Sequence, residues 1–276
     1  NLQWNHAPFE IPTDIKDAWR LVGLKNTSKR KDWEERLSKI DDKKKVKFLH
    51  AINGDISDLV SKNIQDLKEK YSAESPKLAT RQSSQQVLEI INPIIEEMIG
   101  GSADLTPSNN TKTKDINPIS RDDFNGRFIH YGIREHGMAA AMNGMALHKG
   151  IIPYSGTFLI FSDYCRPSIR LAALMGIKVI HVMTHDSIGV GEDGPTHQPV
   201  EQIPSLRSIP NLNVFRPGDA TEVAECWEIA IKSNQPTVIA LSRQGCRHFR
   251  DTFESSNKCE LGGYEIGSVS KRPDVC

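Results

Sequence analysis

Hydrophobic and polar stretches alternate along residues 77–255. Short apolar runs typical of strands occupy Met98–Ser102, Arg127–Tyr131, Ile151–Ser155, Ile177–Thr184, Asn213–Phe215 and Thr237–Leu241. Stretches with helical spacing precede or separate them, at Gln85–Glu97, Arg134–Lys149, Leu159–Leu174, Val200–Ser208 and Thr221–Ser233. Strands that alternate with helices form βαβ units, and continuous apolar runs fit strands buried on both faces. The pattern therefore predicts an α/β fold, with a parallel sheet and helices on both of its faces.

The first 75 residues carry a different pattern. Apolar residues recur there at helical spacing, at Ile56, Leu59, Val60, Ile64, Leu67 and Tyr71, which predicts amphipathic helices. Lys and Arg crowd between Lys25 and Lys47, but acidic residues in the same stretch favour a solvated helix face. Residues 72–76 and the C-terminal stretch look like linkers. We therefore expect a helical connector at 1–75, a domain at 76–255 and a linker at 256–276.

The composition argues against several classes of function. The 276-residue chain balances 35 Lys and Arg against 35 Asp and Glu, so it lacks the basic excess that nucleic-acid binding requires. Its apolar runs all fall short of the roughly 20 residues of a membrane helix, and the first residues do not resemble a signal peptide. The five cysteines are unclustered, which favours a reducing cytoplasm over a disulfide framework. We expect a cytoplasmic protein that contacts neither nucleic acid nor membrane.

Polar loops follow the predicted strands, at the edge of a parallel sheet where ligands bind. One loop holds four side chains that can bind metals or form hydrogen bonds: His185, Asp186, Asp193 and His197. They could hold a metal ion, they could cap loop carbonyls, or they could line a pocket for a polyhydroxylated, phosphorylated substrate. The loop has no tight HxH or HxxxH spacing, so the substrate pocket is the interpretation that fits better.

Glu135 stands where the predicted strand Arg127–Tyr131 turns into a helix. A glutamate in the first turn of a helix is common, because the helix dipole favours its charged form. Alternatively, Glu135 is a buried acid/base group whose charged form is disfavoured by desolvation. The spacing leaves both interpretations open.

Three aromatic residues, Phe158, Phe161 and Tyr164, lie at i, i+3 and i+6 at the start of a predicted helix. Most such stripes pack into a core. A stack of aromatic faces could instead hold a flat heterocycle.

Three dispersed arginines, Arg81, Arg134 and Arg243, also have two interpretations. Arginines of this kind usually form surface salt bridges. Brought together, their guanidinium groups would bind phosphate through forked, charge-assisted hydrogen bonds.

Four strings of residues together resemble the transketolase family. They are GGSADLTPSN at 100–109, YGIREHGM at 131–138, THDSIGVGEDGPTHQP at 184–199 and LSRQ at 241–244. HAPFEIP at 6–12 is similar to the connector that follows the first domain in bacterial members. The resemblance covers the central domain in order. It implies the pyrimidine-binding thiamine diphosphate domain, with a six-stranded parallel sheet between helices.

The resemblance implies a thiamine diphosphate site. Glu135 matches the glutamate that hydrogen-bonds N1′ of the aminopyrimidine ring and serves as the acid/base group. Phe158, Phe161 and Tyr164 match aromatic residues that pack around this ring, and Asp104 matches an aspartate near the cofactor and the dimer interface. Proton exchange with a ring nitrogen needs a carboxylate that binds protons readily, so we expect burial to outweigh the helix dipole at Glu135.

The resemblance also implies a sugar-phosphate site. The groups that hold the phosphate match Arg81, Ser108, His185 and Arg243. Asp193 matches the residue that contacts the C2 hydroxyl of the acceptor, and His197 matches a second catalytic residue that faces the reacting centre of the donor. The implied reaction moves a two-carbon ketol unit from a ketose phosphate to an aldose phosphate, in the pentose phosphate pathway.

The chain also departs from the family pattern. The diphosphate and metal motif, Gly-Asp-Gly followed by an Asn, is absent, so we assign no metal ligand to this chain. We expect Mg²⁺ or Ca²⁺ to be bound mainly by a first domain that the chain lacks, together with the third domain. Because the family's cofactor lies between two subunits, we interpret the chain as part of a homodimeric enzyme. Alone it would hold half an active site, be inactive and bind thiamine diphosphate weakly.

Two other interpretations remain. One is a subunit of a split transketolase or of a related thiamine enzyme, such as a deoxyxylulose phosphate synthase or a dehydrogenase β subunit. The loop that carries Asp193 and His197 favours transketolase among these. The other is a dimerisation module without catalysis, which the retention of the substrate-loop residues disfavours.

Overall fold

The structure is a computed structural model that describes residues 4–54 and 59–267. The chain divides into two compact units between Leu49 and His50. The first three helices are α1 (Thr13–Leu24), α2 (Thr27–Ser38) and α3 (Asp42–Asn53). The later helices are α4 (Leu59–Glu74), α5 (Thr80–Ile91), α6 (Thr106–Asn109), α7 (Glu135–His148), α8 (Ser162–Met175), α9 (Gln202–Arg207) and α10 (Ala220–Lys232). The strands are β1 (Met98–Ser102), β2 (Phe128–His130), β3 (Ile152–Phe158), β4 (Ile180–Thr184), β5 (Asn213–Phe215) and β6 (Thr237–Leu241).

The first unit consists of helices whose apolar side chains stay exposed. None of the residues described in α1, α2 and α3 is buried. Trp19 is 73% exposed, and the charged residues of α2 pair with each other at helical spacing, as Lys39 does with Glu35. The basic stretch is therefore a solvated helix face. Within the described ranges, none of the helices combines the length and the apolar character needed to cross a membrane.

A six-stranded parallel sheet forms the centre of the second unit, as predicted. The strand order is β2-β1-β3-β4-β6-β5, and each neighbouring pair is parallel. Every residue of β3, β4 and β6 is buried. Strands covered on both faces need no alternation of polar and apolar residues, and β3 accordingly buries Ser155 and Thr157 together with its apolar residues.

Helices cover both faces of this sheet. Helices α4, α5 and α10 pack on one face, where Trp227 and Tyr154 meet edge to face with ring centroids 5.9 Å apart. Helices α7, α8 and α9 belong to the other face. The predicted apolar stripe of α4 is buried at Val60, Ile64, Leu67 and Tyr71, while Ile56 and the side chain of Leu59 lie outside the description.

The boundaries of α5 differ from the predicted helix Gln85–Glu97. The helix begins at Thr80, because the Gln82 side chain accepts a hydrogen bond from the backbone N–H of Ala79 and closes the first turn. It ends at Ile91, with Asn92 as the last helical-backbone residue, because Pro93 has no backbone N–H to continue the helical hydrogen bonds. Likewise, the predicted linker at 72–76 begins as helix, and α4 runs through Glu74.

A buried ion cluster fixes the segment after β6 against α4 and α10. Glu225, in α10, is fully buried and lies 2.7 Å from Lys68 Nζ and 3.2 Å from Arg250 Nη2. The backbone N–H groups of Lys258 and Cys259 donate to the same carboxylate at 3.0 and 3.2 Å. The start of the stretch 256–276 is thus docked on the domain. Its assignment as a linker stays a prediction, and residues 268–276 lie outside the described ranges.

Candidate active site

Residues that follow four neighbouring strands line one cavity of about 470 Å³. They come after β1, β2, β3 and β4: Ala103, Asp104, Leu105, Ile133, Glu135, Phe161, Tyr164 and His197. The carboxyl ends of parallel strands meet at one edge of the sheet, which explains why distant loops converge there. The cavity therefore brings together five of the residues predicted to form the site.

Glu135 is both a first-turn residue of a helix and a buried side chain. It is the first residue of α7, and it is only 8% exposed. A tight turn places Glu135 at the start of α7, because Gly132 adopts φ +70° and the Arg134 guanidinium donates to the Tyr131 carbonyl at 2.9 Å. Burial raises the pKa of the neighbouring Cys165 thiol to about 12, with a smaller contribution from the Glu135 carboxylate. The carboxylate thus lies between the cavity and the core.

The three predicted aromatic residues do not share one helix. Phe158 ends β3, Phe161 ends a 3₁₀ turn and Tyr164 lies in the first turn of α8. Phe161 nevertheless stacks on Phe158 and on Tyr164, with ring centroids 5.8 and 5.9 Å apart. The stack runs from the buried Phe158, which does not line the cavity, to Tyr164, which is 63% exposed. The three aromatic residues at helical spacing therefore belong to a strand, a turn and a helix.

Two histidines from the loop after β4 adjoin this stack. The His185 ring lies against Phe158 at 3.7 Å between centroids, and His197 meets Phe161 edge to face at 5.3 Å. Burial, with smaller contributions from the positive charges of Arg81 and Arg243, lowers the pKa of His185 to about 4. His185 is therefore neutral near pH 7.

Two of the three dispersed arginines come together. Arg81 Nη1 donates to the Ser108 carbonyl at 2.7 Å, while the buried Arg81 Nε has no protein partner. Burial lowers the pKa of Arg81, and the charge of Arg243 lowers it further. Arg134 instead bonds within its own turn. Arg81, Ser108, His185 and Arg243 thus form a second polar group beside the cavity.

The metal interpretation of the 185–197 loop finds no support in the described part of the chain. Residues 4–54 and 59–267 contain no group of three or more His, Cys, Asp or Glu side chains arranged to hold a metal ion. Asp186 pairs with Arg216 at 2.8 Å instead. Asp193 acts on His185, because its negative charge raises the pKa that burial lowers.

Four small polar residues were not among the predicted site residues, although three of them, Asn109, Thr184 and Ser242, lie within the strings that resemble the transketolase family. Thr80, Asn109, Thr184 and Ser242 each adjoin in sequence one residue of the second polar group and hydrogen-bond to each other in pairs. Isolated Ser, Thr and Asn residues carry no periodic signal. Their position next to a predicted site residue is the clue that could have identified them.

Comparison with known proteins accords with this geometry. Residues 76–248 match the family described as "Transketolase, pyrimidine binding domain". The chain is 50% identical over 277 residues to the transketolase of Sinorhizobium medicae, a match that covers 99% of the chain and 39% of that protein. The chain therefore belongs to the transketolase family. It spans about two fifths of the length of the curated relatives that it matches.

Solved structures agree. The Pichia stipitis transketolase in complex with sedoheptulose 7-phosphate superposes with a TM-score of 0.87 at 34% identity, over 96% of this chain and 40% of that one. A more distant structure, titled "Split gene transketolase, inactive beta4 tetramer", has a TM-score of 0.50 at 26% identity, over 61% of this chain and 52% of that one.

Proposed function

We propose that this chain supplies the pyrimidine side of a transketolase active site, together with part of its sugar-phosphate site. The observation that carries the proposal is Glu135, a buried carboxylate that shares one cavity with Phe161 and Tyr164. An aminopyrimidine ring is flat and bears ring nitrogens, so it suits aromatic faces beside a buried carboxylate. The residues present therefore fit this part of thiamine diphosphate.

When bound, thiamine diphosphate supplies a carbon nucleophile and an electron sink for the two-carbon unit. Glu135 would exchange a proton between its carboxyl oxygen and N1′ of the pyrimidine, and its burial would keep water from competing. Phe161 and Tyr164 would orient the ring through their faces, with Phe158 stacked on Phe161. Asp104, which lines the same cavity, adds a second acidic group.

The second polar group suits a sugar phosphate. A phosphate dianion would offset the like charges of Arg81 and Arg243, which lie close enough for one to lower the pKa of the other. The Ser108 hydroxyl and the neutral His185 complete the binding groups. Asp193 and His197 then face the acceptor and donor sugars. The Pichia stipitis structure holds sedoheptulose 7-phosphate, which supports this class of substrate.

The complete reaction is assigned to a longer protein. Because the chain spans about two fifths of its relatives, we propose that ketol transfer between sugar phosphates requires further regions and that the chain alone is inactive. Residues 1–75 and 256–276 would join the domain at 76–255 to those regions, which would also bind Mg²⁺ or Ca²⁺. The inactive tetramer of a split-gene transketolase supports this view. We further propose a homodimer that works in the cytoplasm, in the pentose phosphate pathway.

A composite enzyme tests the proposal. In it, this chain replaces the matching segment of the Sinorhizobium medicae transketolase. We expect the composite enzyme to catalyse ketol transfer in the presence of thiamine diphosphate and Mg²⁺. Glu135→Gln keeps the shape of the side chain but removes the proton exchange, so we expect kcat/KM to fall by far more than tenfold.

The control is Glu201→Gln, which changes an exposed glutamate at the start of α9 and should leave the rate unchanged. A loss of less than about tenfold (roughly 1.4 kcal/mol) in a folded Glu135→Gln variant would contradict the acid/base role. A folded composite enzyme that binds thiamine diphosphate but transfers no ketol unit would overturn the proposed activity.

A further inference from the structure

The four proposed phosphate-binding residues share a feature of the backbone. Each has a small polar neighbour in sequence, and these neighbours form two hydrogen-bonded pairs between separate elements. The neighbours are Thr80 beside Arg81, Asn109 beside Ser108, Thr184 beside His185 and Ser242 beside Arg243. Thr80, Asn109 and Thr184 are fully buried, and Ser242 is half-buried. No binding role uses them directly.

The first pair, Thr80 with Ser242, joins the start of α5 to the end of β6. The Ser242 backbone N–H donates to Thr80 Oγ1 at 2.7 Å, and the Thr80 backbone N–H donates to Ser242 Oγ at 3.0 Å. Thr80 Oγ1 also donates to Ser242 Oγ at 3.2 Å. The first N–H groups of a helix lack partners within it, so Ser242 satisfies one of them for α5.

This pair sits where like charges meet. The residues next to it are Arg81 and Arg243, whose guanidinium groups repel each other. Without a bound anion, flexible arginine side chains separate to reduce that repulsion. The reciprocal hydrogen bonds between Thr80 and Ser242 fix the backbone next to Arg81 and next to Arg243. The two arginine side chains therefore start from fixed positions on the same side of the cavity.

The second pair, Asn109 with Thr184, fixes the backbone next to Ser108 and His185 in the same way. Thr184 Oγ1 donates to Asn109 Oδ1 at 2.7 Å, and Asn109 Nδ2 donates to Ser102 Oγ at 3.2 Å. Thr184 Oγ1 also lies 3.0 Å from His185 Nδ1. Because the Thr184 hydroxyl has given its hydrogen to Asn109, this contact assigns the ring hydrogen of His185 to Nδ1. The same contact orients the side chain of His185, whose backbone lies in the left-handed region at φ +60°.

One hydrogen bond links the two halves. Arg81 Nη1 donates to the Ser108 carbonyl at 2.7 Å, so the group held by the first pair touches the group held by the second. The buried Arg81 Nε has no protein partner. A buried donor without a partner costs free energy, and an incoming phosphate oxygen would satisfy it.

We propose that the Thr80–Ser242 and Asn109–Thr184 pairs are positioning residues that preset the phosphate-binding groups. The inference rests on the proposed function, because it assumes that these groups bind the phosphate of a sugar. In a preset site the side chains are already ordered, so less binding free energy is lost in ordering them when the phosphate binds. The two pairs therefore favour phosphorylated over unphosphorylated sugars.

The test uses the composite enzyme with D-ribose 5-phosphate and D-ribose as acceptors, and hydroxypyruvate as an unphosphorylated donor. Thr80→Val removes the hydroxyl at nearly constant shape. We expect KM for ribose 5-phosphate to rise at least tenfold, with kcat and the KM for ribose both within twofold of wild type. Thr80→Ser keeps the hydroxyl and should restore the KM.

Thr221→Val is the matched control. Thr221 is buried near the start of α10, and its hydroxyl has no protein partner, so the change should move neither KM. A rise in KM for ribose 5-phosphate in this control as large as that of Thr80→Val would contradict the proposal. Ser242→Ala removes the two hydrogen bonds that Ser242 Oγ accepts from Thr80, one of which Thr80→Val also removes, and it decides the matter if Thr80→Val does not fold.

Arg243→Met separates the two hypotheses. If Arg243→Met raises KM for ribose 5-phosphate while Thr80→Val and Ser242→Ala do not, the positioning role is wrong and the phosphate site stands. If Arg243→Met has no effect, the proposed phosphate site itself is wrong. An equal rise in KM for both acceptors in Thr80→Val would show a general structural role instead.

Discussion

Two charged regions of the second unit are built in opposite ways. In the ion cluster of Lys68, Glu225 and Arg250, one buried carboxylate is matched by two cations and by backbone N–H groups. At the edge of the sheet, Arg81 and Arg243 lie close together, and Arg81 Nε has no protein partner. In the first region each charged side chain pairs with an opposite charge, whereas in the second two like charges lie together and would be balanced only by an anion.

The difference teaches how to separate charges that stabilise the fold from charges that serve a ligand. A buried charge that loses its partner is strongly destabilising, so a complete cluster tolerates no change. Like charges held together already reduce stability, so removing one of them costs little. Substitutions in the two regions should therefore have effects of very different size, and the following predictions are ordered accordingly.

The largest effect is expected in the ion cluster. Glu225→Gln removes the buried carboxylate that pairs directly with Lys68 and Arg250, whose side chains are only 2% and 5% exposed. We expect the free energy of unfolding to fall by about 3–5 kcal/mol, measured by urea denaturation of the chain. A loss below about 1 kcal/mol would show that the buried ion pairs of the cluster contribute little to stability.

The next largest effect is expected at a buried histidine outside both charged regions, and it concerns the pH dependence of stability. His181, in β4, is fully buried, neither ring nitrogen has a protein partner, and burial lowers its pKa to about 4. The unfolded chain, with a pKa near 6.5, binds a proton first, so stability is lost as pH falls from about 6.5 to 4. His181→Leu should remove about 3 kcal/mol of this acid sensitivity, measured by unfolding at several pH values. An unchanged pH dependence would contradict this.

At the edge of the sheet the expected change is small. Arg243→Met removes the repulsion with Arg81, so the stability of the chain should stay within about 1 kcal/mol of wild type or rise. Inorganic phosphate should raise the midpoint of thermal unfolding of the wild-type chain and not of the variant, since only ligands that bind the native state stabilise it. A large loss of stability in Arg243→Met would erase the contrast between the two regions.

The smallest effect is expected in the first unit. Glu35 and Lys39 pair at 2.6 Å on α2, but their side chains are 64% and 70% exposed. Exposed pairs contribute little because water and salt screen them. Glu35→Gln should therefore change the midpoint of urea unfolding only marginally. Comparison with Glu225→Gln, the same chemical change in a buried setting, isolates the contribution of burial.

The sequence predicts the sheet well because buried strands carry continuous apolar runs. The bounds of Met98–Ser102, Asn213–Phe215 and Thr237–Leu241 agree with the structure residue for residue. Helix ends are predicted less well, since local hydrogen bonds and Pro93 set the limits of α5. The spacing of Phe158, Phe161 and Tyr164 was also misleading, because a strand, a turn and a helix reproduce a helical interval.

The site depends on distant parts of the chain, which no local pattern encodes. Family resemblance pointed to Glu135 and to the arginines, and the structure gathers Glu135 with Phe161, Tyr164 and His197. The supporting pairs were not predicted, because the hydroxyl groups of Thr80 and Ser242 meet only in the folded molecule.

The contact between Thr80 and Ser242 spans 162 positions of the chain. All six strands lie between these two residues along the chain, so the contact joins the beginning and the end of the segment that forms the sheet. The two arginines beside it are therefore neighbours only when the whole sheet is in place, and an anion held by both would bind the folded domain and not the unfolded chain.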